Sequence, residues 1–141
     1  MKKLLKFTVC LALLVMVVVL FTGCKVTGGG SFINDLPCSD NEKCTFGFVA
    51  QGTETDGDWA YKGQFQFNDH AGYKFHISNM QLLTVFGPVA DFAGVTKGGD
   101  IVNVTVTDMG ESGAGPGDYI LVVVPGEGAW GGAVQGEIKI H

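Results

Sequence analysis

The stretch "DIVNVTVTD" (residues 100–108) reads as a strand from its spacing alone. Val102, Val104 and Val106 project to one side, and Asn103, Thr105 and Thr107 to the other, the period-two alternation of a half-buried β-strand. The same beat returns along the chain. Phe46, Phe48 and Ala50 alternate; in Val134–His141, residues Val134, Ile138 and Ile140 share one face while Gln135, Glu137, Lys139 and His141 share the other. "YILVVV" (119–124) is apolar throughout, which predicts a strand covered on both faces. Further strands are predicted at 59–68, 73–85 and 89–96. No stretch carries a sustained run of apolar residues at helical spacing. Turn chemistry at Thr55-Asp56-Gly57, Lys97-Gly98-Gly99 and Gly113–Gly117 punctuates the runs. Seven or eight short strands, spaced roughly 8–12 residues apart, predict a single all-β antiparallel domain, a β-sandwich or partly closed barrel.

The start of the chain, MKKLLKFTVCLALLVMVVVLFTGC, has a different logic. Lys2, Lys3 and Lys6 form a basic segment, Val9 to Phe21 is an unbroken apolar run, and small residues lead into Cys24. That order defines a secretory signal peptide over residues 1–23. The run is shorter than the ~20 residues a membrane-crossing helix needs. Phe21-Thr22-Gly23-Cys24 resembles the lipobox of bacterial lipoproteins, with Phe21 where leucine is usual. The resemblance implies cleavage before Cys24, with diacylglycerol on its thiol and usually an acyl group (palmitate) on the new amine. Two or more chains anchor stably, because each buried CH₂ contributes about 0.8 kcal/mol. Lys25 follows the cysteine where aspartate would retain a lipoprotein at the inner membrane, so the outer membrane is favoured in a cell envelope with two membranes. Residues 24–30 are expected to form the lipidated cysteine and a short Gly-rich tether, although "KVTGGGS" (25–31) also suits a first edge strand. Residues 31–141 are expected to form the domain.

Cleavage would remove three lysines and no acid, moving the formal charge from −5 to −8. So acidic a domain is ill suited to nucleic acid or to an anionic lipid face. With Cys24 lipidated, Cys38 and Cys44 in "PCSDNEKC" remain as an even pair in an exported chain, which predicts a disulfide.

"FNDHAGYKFHIS" (67–78) concentrates Asp69, His70 and His76. Cross-strand partners share a face, so Phe67 is placed opposite Phe75, Gln66 opposite His76 and Asn68 opposite Lys74. His70-Ala71-Gly72 is then a three-residue loop closed by an αL glycine. His70 and His76 stand about 10 Å apart along such a strand, too far to share one zinc. His141 meets His76 only if their strands are neighbours. A metal site of His70, His76 and His141 with Asp69 is therefore a candidate that competes with plain hairpin roles.

Two acidic loops supply oxygen ligands of the kind calcium takes. Glu54, Asp56 and Asp58 lie in one; Asp108, Glu111 and Asp118 lie in the other. Neither completes an EF-hand, and Asp and Gly are ordinary turn residues. Calcium is thus the one cofactor entertained, and none is predicted. Trp59, Tyr61 and Trp130 flank Gly-rich loops, where rings can stack on a glycan or an envelope protein, or close the ends of a core. Gly126-x-Gly128-x-x-Gly131 follows a strand, but Pro125 intervenes and no helix can open there, so it is a loop. No serine sits in a G-x-S-x-G elbow.

In order, "TGGGSF", "CTFGFVAQ", "QFNDHAGYKFHI", "VNVTVTDMGESGAGPGDYILVV" and "GGAVQGEIKIH" resemble the successive signatures of the post-COAP type of secreted bacterial domain, over residues 27–141. Met109 and Ser112 stand where that pattern has asparagine and proline, and the cysteine pair is extra. The resemblance implies an all-β extracytoplasmic module without established activity, with Asp69, His70, His76 and His141 on motif positions. The expectation is a lipid-anchored, non-catalytic binding or structural module. Carbohydrate- or calcium-dependent recognition and a small metal-dependent enzyme are the alternatives.

Overall fold

The computed structural model describes residues 22–110 and 117–141. Residues 1–21 of the predicted signal peptide, and Glu111 with most of the predicted Gly113–Gly117 turn, lie outside the described residues. Eight strands follow one another: β1 (Thr22–Ile33), β2 (Lys43–Thr55), β3 (Asp58–Asn68), β4 (Lys74–Phe86), β5 (Val89–Thr96), β6 (Ile101–Thr107), β7 (Tyr119–Val124) and β8 (Gly128–Ile140). Each pairs antiparallel with the next, and β8 pairs with β1, so the sheet closes into an up-and-down barrel. Of the two architectures expected, closure into a barrel is what forms. Around most of its circumference closure removes the free sheet edges that a sandwich retains.

One finding revises the domain boundary. Residues 24–30 are not a tether but part of β1, paired with β2 over Thr22–Ile33 and with β8 over Val26–Phe32. Its glycines are there for contacts made by other strands. A side chain at Gly28 would meet the Phe48 ring at 2.4 Å. Gly30 faces Gly136 across the β1–β8 seam, with φ of 147° and 148°, and a Cβ on either would stand 2.2 Å from a backbone oxygen of the other strand. Only residues without Cβ allow the seam to close.

The interior is filled. Phe32, Phe65, Phe92, Ile77, Ile120, Ile138, Val102, Val104, Val106, Val122 and Val124 are fully buried. Phe48 meets Phe92 at 4.8 Å between ring centroids, and Phe67 meets Trp130 at 5.0 Å. Burying one such ring contributes on the order of 2–3 kcal/mol. β7 alternates between buried and half-exposed residues and is not covered on both sides. Its outer apolar side chains instead lean over glycine: a Cβ at Gly131 would lie 3.2 Å from Leu121 and 3.1 Å from the Tyr119 hydroxyl.

An up-and-down barrel has two ends. The distal end carries the β1–β2, β3–β4, β5–β6 and β7–β8 loops; the proximal end carries the start of β1, the end of β8 and the other three turns. At the proximal end β8 outruns β7, and the β6–β7 loop completes the ladder. Val134 N–H donates to the Asp118 carbonyl, Ile138 N–H to Asp118 Oδ2 and Ile140 N–H to Asp108 Oδ2. β3 and β4 differ. They pair only through Phe65–Asn68 and Lys74–Ile77. Register shifts at Ile77/Asn79 and Met80/Leu82 turn β4 toward β5, the bending expected of bulges.

Candidate functional site: a glycine-floored outer groove

The predicted β3–β4 register is the one observed: Phe65↔Ile77, Gln66↔His76, Phe67↔Phe75 and Asn68↔Lys74. Asp69 is buried, and its Oδ1 accepts the Ala71 and Tyr73 N–H groups at 2.8 Å each. It organises the loop. Gly72 takes the positive φ expected of it (121°), and His70 adopts one as well (57°), its N–H donating to Asn68 Oδ1. His70 Nε2 lies 3.0 Å from Thr45 Oγ1, and His141 Nε2 lies 3.2 Å from Thr27 Oγ1. His70 is at the distal end and His141 at the proximal end, while β8 and β4 are not neighbouring strands. The three histidines are kept apart. Among the described residues no group of three His, Cys, Asp or Glu side chains could hold a metal ion.

Several acids of the two acidic loops take turn and loop-capping positions. Asp56-Gly57, with φ of 53° and 84°, is the two-residue turn of the β2–β3 hairpin, flanked by Thr55 and Asp58. Asp118 is buried, with Oδ1 accepting Met109 N–H and Oδ2 accepting Ile138 N–H. Asp108 likewise binds the Gly110 and Ile140 N–H groups.

The predicted Cys38–Cys44 disulfide is absent, and both thiols are free. The alternation of β2 explains this. Cys44 occupies the inward column with Phe46, Phe48 and Ala50 and is wholly buried, whereas Cys38 is exposed in the β1–β2 loop. Burial, followed by the nearby Glu42 and Asp69 carboxylates, pushes the Cys44 thiol up to about 12, so it packs as a small neutral hydrophobe. Burial first, and then Glu127, Asp100 and Asp69, also raises Tyr73. Burial and the Asp35 carboxylate raise Tyr119, whose hydroxyl donates to Asp35 Oδ1.

Of the three flanking aromatics, Trp130 is buried and stacked on Tyr73 at 5.1 Å, closing the distal core. Trp59 is 46% exposed at the proximal rim, stacked on Tyr61 at 6.1 Å and 7°. Cys24 is half-buried in the inward column beside them, its sulfur 3.4 Å from where a Gly52 Cβ would stand. It borders a hollow of about 320 Å³ with Lys25, Lys62 and His141.

A concavity lies on the outer wall. Gly47 interrupts the outward column of β2, and a Cβ there would meet nothing within 4 Å. Above this floor lies a groove of about 660 Å³ lined by Thr45, Gln66, Asn68, Lys74 and His76. Past Gly47 and Gln66 it continues into a second of about 640 Å³, bounded by Val49, Gln51, Lys62 and Gln64. One cross-barrel row joins Glu137, Gly29, Gly47, Gln66 and His76. Amide side chains both donate and accept, and a lysine stands toward each end. Of these residues, only His76 was a candidate from the sequence. A glycine inside the Phe46–Phe48 alternation, with amides at every second position of β3, was the signal available.

Comparison with known protein families, with curated proteins and with solved structures gives no match.

Proposed function

We propose that this protein is a lipid-anchored module of the cell envelope that binds a hydroxyl-rich polymer, a glycan chain, along the groove over Gly47. The observation that carries the reading is the groove itself: a floor without a side chain, walled by Gln51, Gln64, Gln66 and Asn68. Side-chain amides pair with hydroxyls in either hydrogen-bonding sense, and an extended trough suits a chain better than a small molecule. The outward residues of β8, Gln135, Glu137 and Lys139, are polar and exposed, unlike the apolar outer belt of a membrane-spanning barrel. The barrel therefore stands in water, with the acyl chains on Cys24 as its link to the bilayer.

Gly47→Phe tests the reading. The ring would fill the groove where space is open, so the melting temperature should hold while binding of chitohexaose or dextran, followed by titration calorimetry, falls at least about tenfold, the equivalent of 1.4 kcal/mol. Native protein that binds neither oligosaccharide, or a variant that binds as well as native, sinks it. The anchor is checked by intact mass of protein taken from membranes, which should begin at an acylated Cys24; a chain beginning at Met1 contradicts it.

A further inference from the structure

We infer that the proximal end of the barrel seats directly on the bilayer, with Phe86 and Trp59 entering the interface of a zwitterionic phospholipid membrane. The inference rests on the anchor reading above and adds an orientation to it. β1 is already paired with β2 at Cys24, so no free tether separates the acylated residue from the barrel wall. The apolar run Val9–Phe21 joins the same end, so the membrane lies there before cleavage as well as after.

The rim at that end carries solvent-exposed apolar groups. Phe86, at the tip of the β4–β5 hairpin, is 86% exposed, Trp59 beside the β2–β3 turn is 46% exposed, and Met109 is 51% exposed. Phe86 precedes the Gly87-Pro88 turn, with Gly87 at φ 58°, a tight hairpin that holds the ring outward. Tryptophan favours the membrane–water boundary, where one part of the ring system is apolar and the N–H is wet. Insertion stays shallow for two reasons. The proximal halves of β3 and β4 are not paired with each other, and such backbone does not enter hydrocarbon. Asp56 and Asp58 stand just before Trp59 at the β2–β3 turn, which disfavours an anionic surface there.

The two tryptophans of the chain lie at opposite ends and supply the test. Lipidated protein is reconstituted into phosphatidylcholine vesicles with brominated acyl chains, and its emission is compared with that in unbrominated vesicles. Native protein should lose a clear share of its emission. Trp59→Phe, left with the distal Trp130, should lose almost none. Phe86→Ser should reduce the quenching of Trp59 without moving the melting temperature. Flotation of the same samples separates the two layers of the argument. Protein that floats, yet shows equal or no quenching in native and Trp59→Phe, overturns the seating and leaves the anchor standing. Protein that does not float overturns the anchor and the seating together.

Discussion

The two ends of the barrel solve the same problem in opposite ways. At the distal end the β1–β2 and β3–β4 loops are tied inward. Asn34 is buried, donating to Glu42 Oε1 and accepting the Gly131 N–H, Asp69 binds two N–H groups of its own loop, and Trp130 and Tyr73 stack over the core. At the proximal end the β6–β7 loop is tied by Asp108 and Asp118, but the two neighbouring hairpins hold Phe86 and Trp59 out in solvent. Buried polar caps stabilise a fold; exposed rings at hairpin tips do not. The contrast separates residues kept for folding from residues available for contact, and substitutions at the two ends should divide the same way.

The largest effect is expected at the distal cap. Asn34→Ala orphans the buried Gly131 N–H and leaves Glu42 without its donor, a loss of about 2–4 kcal/mol and a melting temperature lower by roughly 10 °C or more. A melt within a few degrees of native would mean that the distal end is not a stabilising cap. Asp118→Ala should follow at about 2 kcal/mol, since two backbone donors lose their acceptor; denaturant unfolding measures it.

Next comes alkaline pH. Cys44 is raised in the folded state from 9.0 to about 12. The unfolded thiol ionises first, so this stability is fully present below pH 9 and is lost as pH rises toward 12. Cys44→Ala should flatten unfolding free energy against pH over that window, leaving the slope that belongs to Tyr73 and Tyr119. An unchanged slope would place the titration elsewhere. The smallest effect belongs to Phe86→Ser, within about 0.5 kcal/mol of native, although the same change should weaken vesicle contact.

Much of the strand plan was legible because alternation is local. The predictions 59–68, 73–85 and 89–96 fall within a residue of β3, β4 and β5, and Phe67 and Phe75 set the β3–β4 register. β1 was legible only as one of two readings of residues 25–31, tether or edge strand. Gly28 and Gly30 interrupt its alternation, and their reasons, the Phe48 ring and the backbone of β8, lie on other strands. Barrel closure was hidden for the same cause, since the β1–β8 pairing has no local mark. The cysteine pair read as a bridge because sequence spacing ignores which side of a strand a thiol occupies. The groove depends on columns from β2, β3 and β4 meeting over one missing side chain, a coincidence that appears only once the register is known.

Everything proposed about orientation follows from β1 being wall and not leash. Hydrogen exchange of the mature protein, read by mass spectrometry over residues 24–33, tests that most directly. Protection over this segment as strong as that of 43–55 in β2 is the predicted result. Complete exchange of 24–33 within seconds, with β2 still protected, would contradict it and restore a flexible tether.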